Sequence, residues 1–197
     1  MNISFNQPDI KFYFSFQCPY SYIAWEILKK LLKDSRISIM PIEIGLFPTG
    51  STKFHFRELW NTPRWNLLIE DAKQVGLTIS KPEKYVSSLN AARPIEAYGS
   101  VNAADYITSV FRGFFINRLD VSLPTCLKMH LQSDGIDSGV LTRALEDKET
   151  EKKAQADQLL WGHERIRMVP TVELDGERYS GFTDEASLDR FLRSVID

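Results

Sequence analysis

The sequence predicts an α/β fold with a large all-helical insertion. Three observations point there: a strand, helix and strand within the first 44 residues, a middle whose apolar residues recur at helical spacing, and a closing hairpin and helix. Ile10 to Phe16, IKFYFSF, is an aromatic and β-branched run that stops at Gln17-Cys18-Pro19, a strand entering a turn. From Pro19 the period changes. Tyr22, Ile23, Trp25, Ile27, Leu28, Leu31 and Leu32 fall on one helical face, with Glu26, Lys29, Lys30 and Lys33 on the other and proline in the first turn. Ile37 to Ile44, ISIMPIEI, alternates as a second strand, with Pro41 restricting it to an edge, an end or a bulge.

The helical middle reads as four apolar-periodic stretches, Phe56 to Val75, Ala97 to Phe115, Leu123 to Gln132 and Val140 to Trp161, separated by Gly, Pro and Ser signals. After it, Met168 to Leu174, the Asp175-Gly176 turn and Glu177 to Gly181 write a hairpin, and Asp184 to Val195 an amphipathic helix with an acidic start. Residues 1–44 and 164–197 are therefore expected to form one α/β unit, with 45–163 as an insertion into it.

Lys and Arg total 24 against 26 Asp and Glu, so no basic field is available to attract nucleic acid or an anionic membrane as the main partner. Neither a leader-like apolar segment nor a membrane-length run is present, and two cysteines are too few for a disulfide scaffold. A cytoplasmic protein follows as the expectation. His55, His130 and His163 are isolated, which suits surface or hydrogen-bonded core histidines and suggests no metal site. Cys126, within helix-like LPTCLKMHL, reads as packing.

Cys18 differs because it stands where a strand gives way to a helix. The free N–H groups and the dipole of that helix favour negative charge on its sulfur, so a lowered thiol pKa and a nucleophilic role are expected. Ser21, one turn on, is placed to donate a hydrogen bond to the sulfur or to cap the helix. The competing reading makes Cys18 a small buried apolar residue.

Cys18-Pro19-Tyr20-Ser21 after an aromatic strand, with Met168-Val169-Pro170-Thr171 and a DG hairpin far downstream, resembles the DsbA-like branch of the thioredoxin superfamily over the whole chain. Phe12 to Ala24, FYFSFQCPYSYIA, is similar to the first motif of 2-hydroxychromene-2-carboxylate isomerases and kappa-class glutathione transferases, close to FYFDFxSPYSYLA. Those glutathione enzymes carry serine where this chain has Cys18; disulfide oxidoreductases carry the first cysteine of CxxC there, whereas Ser21 replaces the second. The resemblance implies a thioredoxin fold, a cis Val169–Pro170 bond, and backbone hydrogen bonds from Val169 to a bound peptide or glutathione. Pro19 and Tyr20 would complete the substrate-facing turn. Phe111 to Phe115 and Asp120-Val121-Ser122 resemble the helical region of the same enzymes. Where their G-x-D-R segment binds the glutamyl end of glutathione, Gly181-Phe182-Thr183-Asp184-Glu185 has an extra residue and a glutamate in place of arginine. Asp184 is then either a glutathione contact or a helix N-cap.

The leading expectation is a thiol–disulfide oxidoreductase working through Cys18, supported by Ser21. It would hold no tightly bound cofactor, take glutathione as a co-substrate, act on a thiol or disulfide of a small molecule or protein, and be a monomer or homodimer. The alternatives are a glutathione-dependent transferase or isomerase, and a non-enzymatic binding module.

Overall fold

The computed structural model describes residues 10–35, 37–45, 63–82, 86–163, 166–181 and 184–196. Along β1 (Ile10–Phe14) the side chains alternate, so Ile10, Phe12 and Phe14 enter the main core while Tyr13 joins a small cluster on the other face. β2 (Ile39–Glu43) lies parallel to β1, with Ile10 opposite Ile39 and Phe14 opposite Glu43. β3 (Thr171–Leu174) and β4 (Glu177–Ser180) complete a mixed sheet of order β2-β1-β3-β4, in which β3 runs antiparallel to both its neighbours. Pro41 therefore lies on an edge strand, where its missing N–H disturbs no second ladder. Asp175 and Gly176 have φ of 49° and 85°, the left-handed pair that a two-residue hairpin of the I′ kind requires.

The two central strands, β1 and β3, are shorter than their apolar runs. β1 ends at Phe14 because the chain then turns, the Cys18 N–H donating to the Ser15 carbonyl at 2.9 Å. β3 starts only at Thr171, whose hydroxyl donates back to the Met168 carbonyl at 2.8 Å, and the Val169–Pro170 bond just before it is cis.

α1 (Pro19–Leu31) joins β1 to β2 and buries Tyr22, Ile23, Trp25, Ile27 and Leu28. Between β2 and β3 the described helices are α2 (Pro63–Gln74), the short α3 (Leu89–Ala92), α4 (Gly99–Phe115), α5 (Pro124–Ser133), α6 (Ser138–Glu146) and α7 (Lys148–His163), with a 3₁₀ turn at Glu96–Tyr98. α8 (Glu185–Ile196) ends the described chain. Residues 46–62, with His55, Trp60 and the start of the Phe56 to Val75 stretch, lie outside the described residues. Among those described, no helix is long and apolar enough to cross a membrane.

The Val140 to Trp161 stretch is not one helix. It breaks at Asp147, whose extended backbone (φ −87°, ψ 117°) ends α6 and whose carboxylate accepts the Glu149 N–H at 2.9 Å to start α7. The buried Arg93 guanidinium closes the break, donating to the carbonyls of Ala144, Leu145 and Asp147 at 2.9–3.0 Å and so pairing the C-terminal carbonyls of α6 with a cation.

An aromatic cluster ties the insertion to the β1–α1 junction. Tyr22 stacks on Phe111 at 5.0 Å between centroids, and Phe16 meets Phe111 edge-on at 5.1 Å and Phe14 at 5.0 Å. Such pairs add about 0.5–1.5 kcal/mol each beyond the area they bury. Trp25 and Lys29 of α1 reinforce the contact by donating to the Thr108 hydroxyl at 3.0 and 2.8 Å. His130 is a buried core histidine, its Nε2 2.9 Å from the Ser109 carbonyl. The neighbouring Ser109 hydroxyl donates to Asp134 at 2.7 Å rather than to the imidazole, so this cluster joins α4 to α5 and contains no nucleophile–base pair.

Candidate functional site

Cys18 is the N-cap of α1, with extended backbone (φ −98°, ψ 112°) and a carbonyl that accepts the N–H groups of Ser21 and Tyr22 at 3.0 and 3.3 Å. The residue is 9% exposed. The sulfur lies 3.6 Å from the Val169 carbonyl, to which the thiol donates, bringing the first turn of α1 against the cis Val169–Pro170 bond from the far end of the chain. The Pro170 carbonyl accepts the Gly181 N–H at 2.8 Å, which anchors that segment to the end of β4.

Ser21 is fully buried and accepts the Ser15 N–H at 3.3 Å, leaving its own hydroxyl proton for the Cys18 sulfur. Burial nevertheless pushes the Cys18 thiol up from its ordinary value, outweighing the Ser21 hydroxyl and the N–H groups of Ser21 and Tyr20, all of which favour the thiolate. This corrects the expectation of a lowered thiol pKa. The helix start supplies the donors, but the sulfur is too far from water for them to prevail.

Of the residues singled out from the sequence, Cys18, Ser21, Val169 and Pro170 come together. Pro19 and Tyr20 form the half-buried first turn of α1 beside them. Asp184 acts as the N-cap of α8: its carboxylate accepts the Ser187 N–H at 2.8 Å and the Ser187 hydroxyl at 3.4 Å, and that N–H holds its pKa below the usual carboxylate range. Of the two residues before it, 182 and 183, nothing is described. Cys126, like Cys18, is a free cysteine, and it is half-buried on α5.

Two residues were missed in the sequence. Glu43, 2% exposed at the end of β2, accepts hydrogen bonds from the Ser88 hydroxyl at 2.7 Å, the Gln158 amide at 3.1 Å, the Ser15 hydroxyl at 3.4 Å and the Phe16 N–H. Its partners are neutral, and burial pushes its carboxyl up to about 7 against those bonds. Ser15 links this carboxyl to the turn that carries Cys18, its oxygen also accepting the Gln17 N–H at 3.2 Å. The signal was in ISIMPIEI, where Glu43 shares the alternating face of Ile39 and Pro41, a charged side chain at an inward-facing register.

A thiol at the N-terminus of the helix that follows β1, facing a cis-proline at the entry to β3, marks a thioredoxin-like fold. The chain belongs to the DSBA-like thioredoxin domain family, whose model matches residues 9–194. Among curated proteins, no sequence relative matches it. Of solved structures, a 2-hydroxychromene-2-carboxylate isomerase is similar with 22% identity and a TM-score of 0.76, covering 95% of this chain and 94% of its own. A probable DsbA oxidoreductase from Streptomyces coelicolor is similar with 15% identity and a TM-score of 0.79 over 96% and 90% of the two chains. The cytosolic disulfide reductase DsbM from Pseudomonas aeruginosa with GSH gives 12% identity and a TM-score of 0.66 over 95% and 98%.

Proposed function

We propose that this protein is a single-thiol disulfide oxidoreductase of the cytoplasm. The Cys18 sulfur attacks one sulfur of a disulfide, the S–S bond breaks, and the departing sulfur takes up the proton that Cys18 loses. A mixed disulfide on Cys18 results. A second thiol, for which glutathione is the co-substrate proposed, then attacks that bond, forms a new disulfide with the released half and returns Cys18 to the thiol. With Ser21 in place of a second cysteine, the Cys18–Ser21 turn cannot close its own disulfide, so the resolving thiol is external. The observation that carries the reading is the placement of Cys18 Sγ 3.6 Å from the Val169 carbonyl beside the cis-proline, with the Ser21 hydroxyl as its donor. Because burial holds the resting group as a thiol, the rate should climb with pH beyond neutrality.

Intact-protein mass after exposure to oxidised glutathione tests this. One adduct is expected, reversed by reduced glutathione and reduced on Cys18→Ser by at least about a hundredfold in rate, the thiolate being the nucleophile. A native protein that takes no adduct would sink the reading and leave a binding module.

A second reading, a glutathione-dependent transferase or isomerase, is favoured by the likeness to the isomerase and by the buried serine at the active-site turn. Calorimetric titration separates the two: tight glutathione binding that persists in Cys18→Ser supports transfer or isomerisation, whereas binding that needs the sulfur supports exchange.

A further inference from the structure

Glu43 is a buried titratable group that the exchange chemistry leaves unused. Its carboxyl gathers four donors from three separate places: Ser15 and Phe16 in the turn before Cys18, Ser88 just before α3, and Gln158 on α7. The turn it grips is the one that aims the thiol. Ser15 presents its hydroxyl to Glu43, its oxygen to the Gln17 N–H, its carbonyl to the Cys18 N–H and its own N–H to Ser21 Oγ. All three polar groups of one buried residue, through four hydrogen bonds, are thus engaged between the carboxyl and the thiol.

We propose that Glu43 is a positioning residue for Cys18: through Ser15 it fixes the turn that aims the Ser21 hydroxyl and the first N–H groups of α1 at the sulfur, and it couples that aim to the seating of α7. This rests on the reading of Cys18 as the exchange thiol. The role is one of hydrogen bonding, because the partners on Glu43 are hydroxyls, an amide and a backbone N–H. The charged and titratable groups facing it leave that role intact. Tyr106 of α4 carries a hydroxyl that donates to the Ala91 carbonyl. Arg93, Glu96, Lys153 and Asp157 line the crevice that Glu43 shares. There the Arg93 guanidinium holds the α6 carbonyls, and Lys153 pairs with Glu96 and Asp157 at 3.1 and 2.8 Å.

The test is the pH dependence of Cys18 alkylation by iodoacetamide, followed on the Cys18 peptide by mass spectrometry in Glu43→Ala, Glu43→Gln, Ser15→Ala and the double variant Ser15→Ala/Glu43→Ala. Ser15→Ala and Glu43→Ala should each raise the midpoint by about half a unit, which is about threefold less thiolate below it. Glu43→Gln should react within about twofold of the parent, its amide nitrogen facing the two hydroxyls, which turn to accept. The double variant should match either single one, as residues acting in one chain do. A Ser15→Ala protein that folds and alkylates like the parent overturns the proposal, as do single effects that multiply in the double variant; if Glu43→Ala does not fold, Ser15→Ala alone decides. Alkylation needs no disulfide partner. A protein that shows this coupling but takes no glutathione adduct refutes the exchange reading alone, and one that exchanges without the coupling refutes only this inference.

Discussion

Two glutamates on the same sheet, both nearly sealed from water, are driven in opposite directions. Glu43 ends β2 among hydroxyls and amides, and burial raises its carboxyl to about 7. Glu173 sits on β3 on the other face of the sheet. Burial pushes it upward too, yet the ion pairs with Lys11 at 2.8 Å and with Arg178 at 2.5 Å outweigh that and hold it below its ordinary value. Removal from water is common to both; only the partner differs. A carboxylate given a cation stays charged, whereas one given neutral donors approaches the pH at which it keeps its proton.

The largest expected effect follows from Glu43. Between 4.5 and about 7 the folded protein holds a proton that the unfolded chain has released, so stability falls as pH rises through that window and is flat above it. A displacement of that size amounts to about 3 kcal/mol. Glu43→Gln should remove this slope, and denaturant unfolding at pH 5 and pH 8 reads it as the difference between parent and variant. A parent equally stable at both, relative to the variant, would break the comparison.

Glu173 carries the opposite sign. Its contribution is present above the ordinary carboxylate range and lost as pH falls through the lowered folded value. Glu173→Gln should cost about 1 kcal/mol at pH 7, since both cations remain partly solvated, and should cost less in acid. Chemical denaturation at pH 7 and pH 3 measures it. The smallest effect belongs to Lys11→Gln, about 0.5 kcal/mol or less, because its side chain is 45% exposed and Arg178 still holds the carboxylate. Thermal unfolding in low and high salt should place its loss mainly at low salt; a loss as large as that of Glu173→Gln would show that Lys11, not Arg178, sets the pair.

Much of the fold was legible because periodicity reports which faces are buried. The aromatic and β-branched run IKFYFSF, the alternation in ISIMPIEI with its proline, the helical spacing after Pro19 and the Asp-Gly turn each state a local geometry, and β1, the edge strand β2, α1 and the hairpin follow from them. The break at Asp147 was not legible, because helical spacing continues across it while the interruption is completed by Arg93, distant in sequence. Within the site, Cys18 and Ser21 were readable as neighbours on one turn, and Val169–Pro170 only through likeness to a known motif.

By itself the sequence determined the order of elements, the handed turn of the hairpin and the presence of one thiol at a strand-to-helix junction, since these depend on residues within a few positions of each other. Only the tertiary structure decided the state of that thiol and of Glu43. How far a sulfur or a carboxyl is removed from water, and whether a cation or a hydroxyl meets it there, is set by chain segments far apart in sequence, and the free energy of a buried charge depends on that meeting.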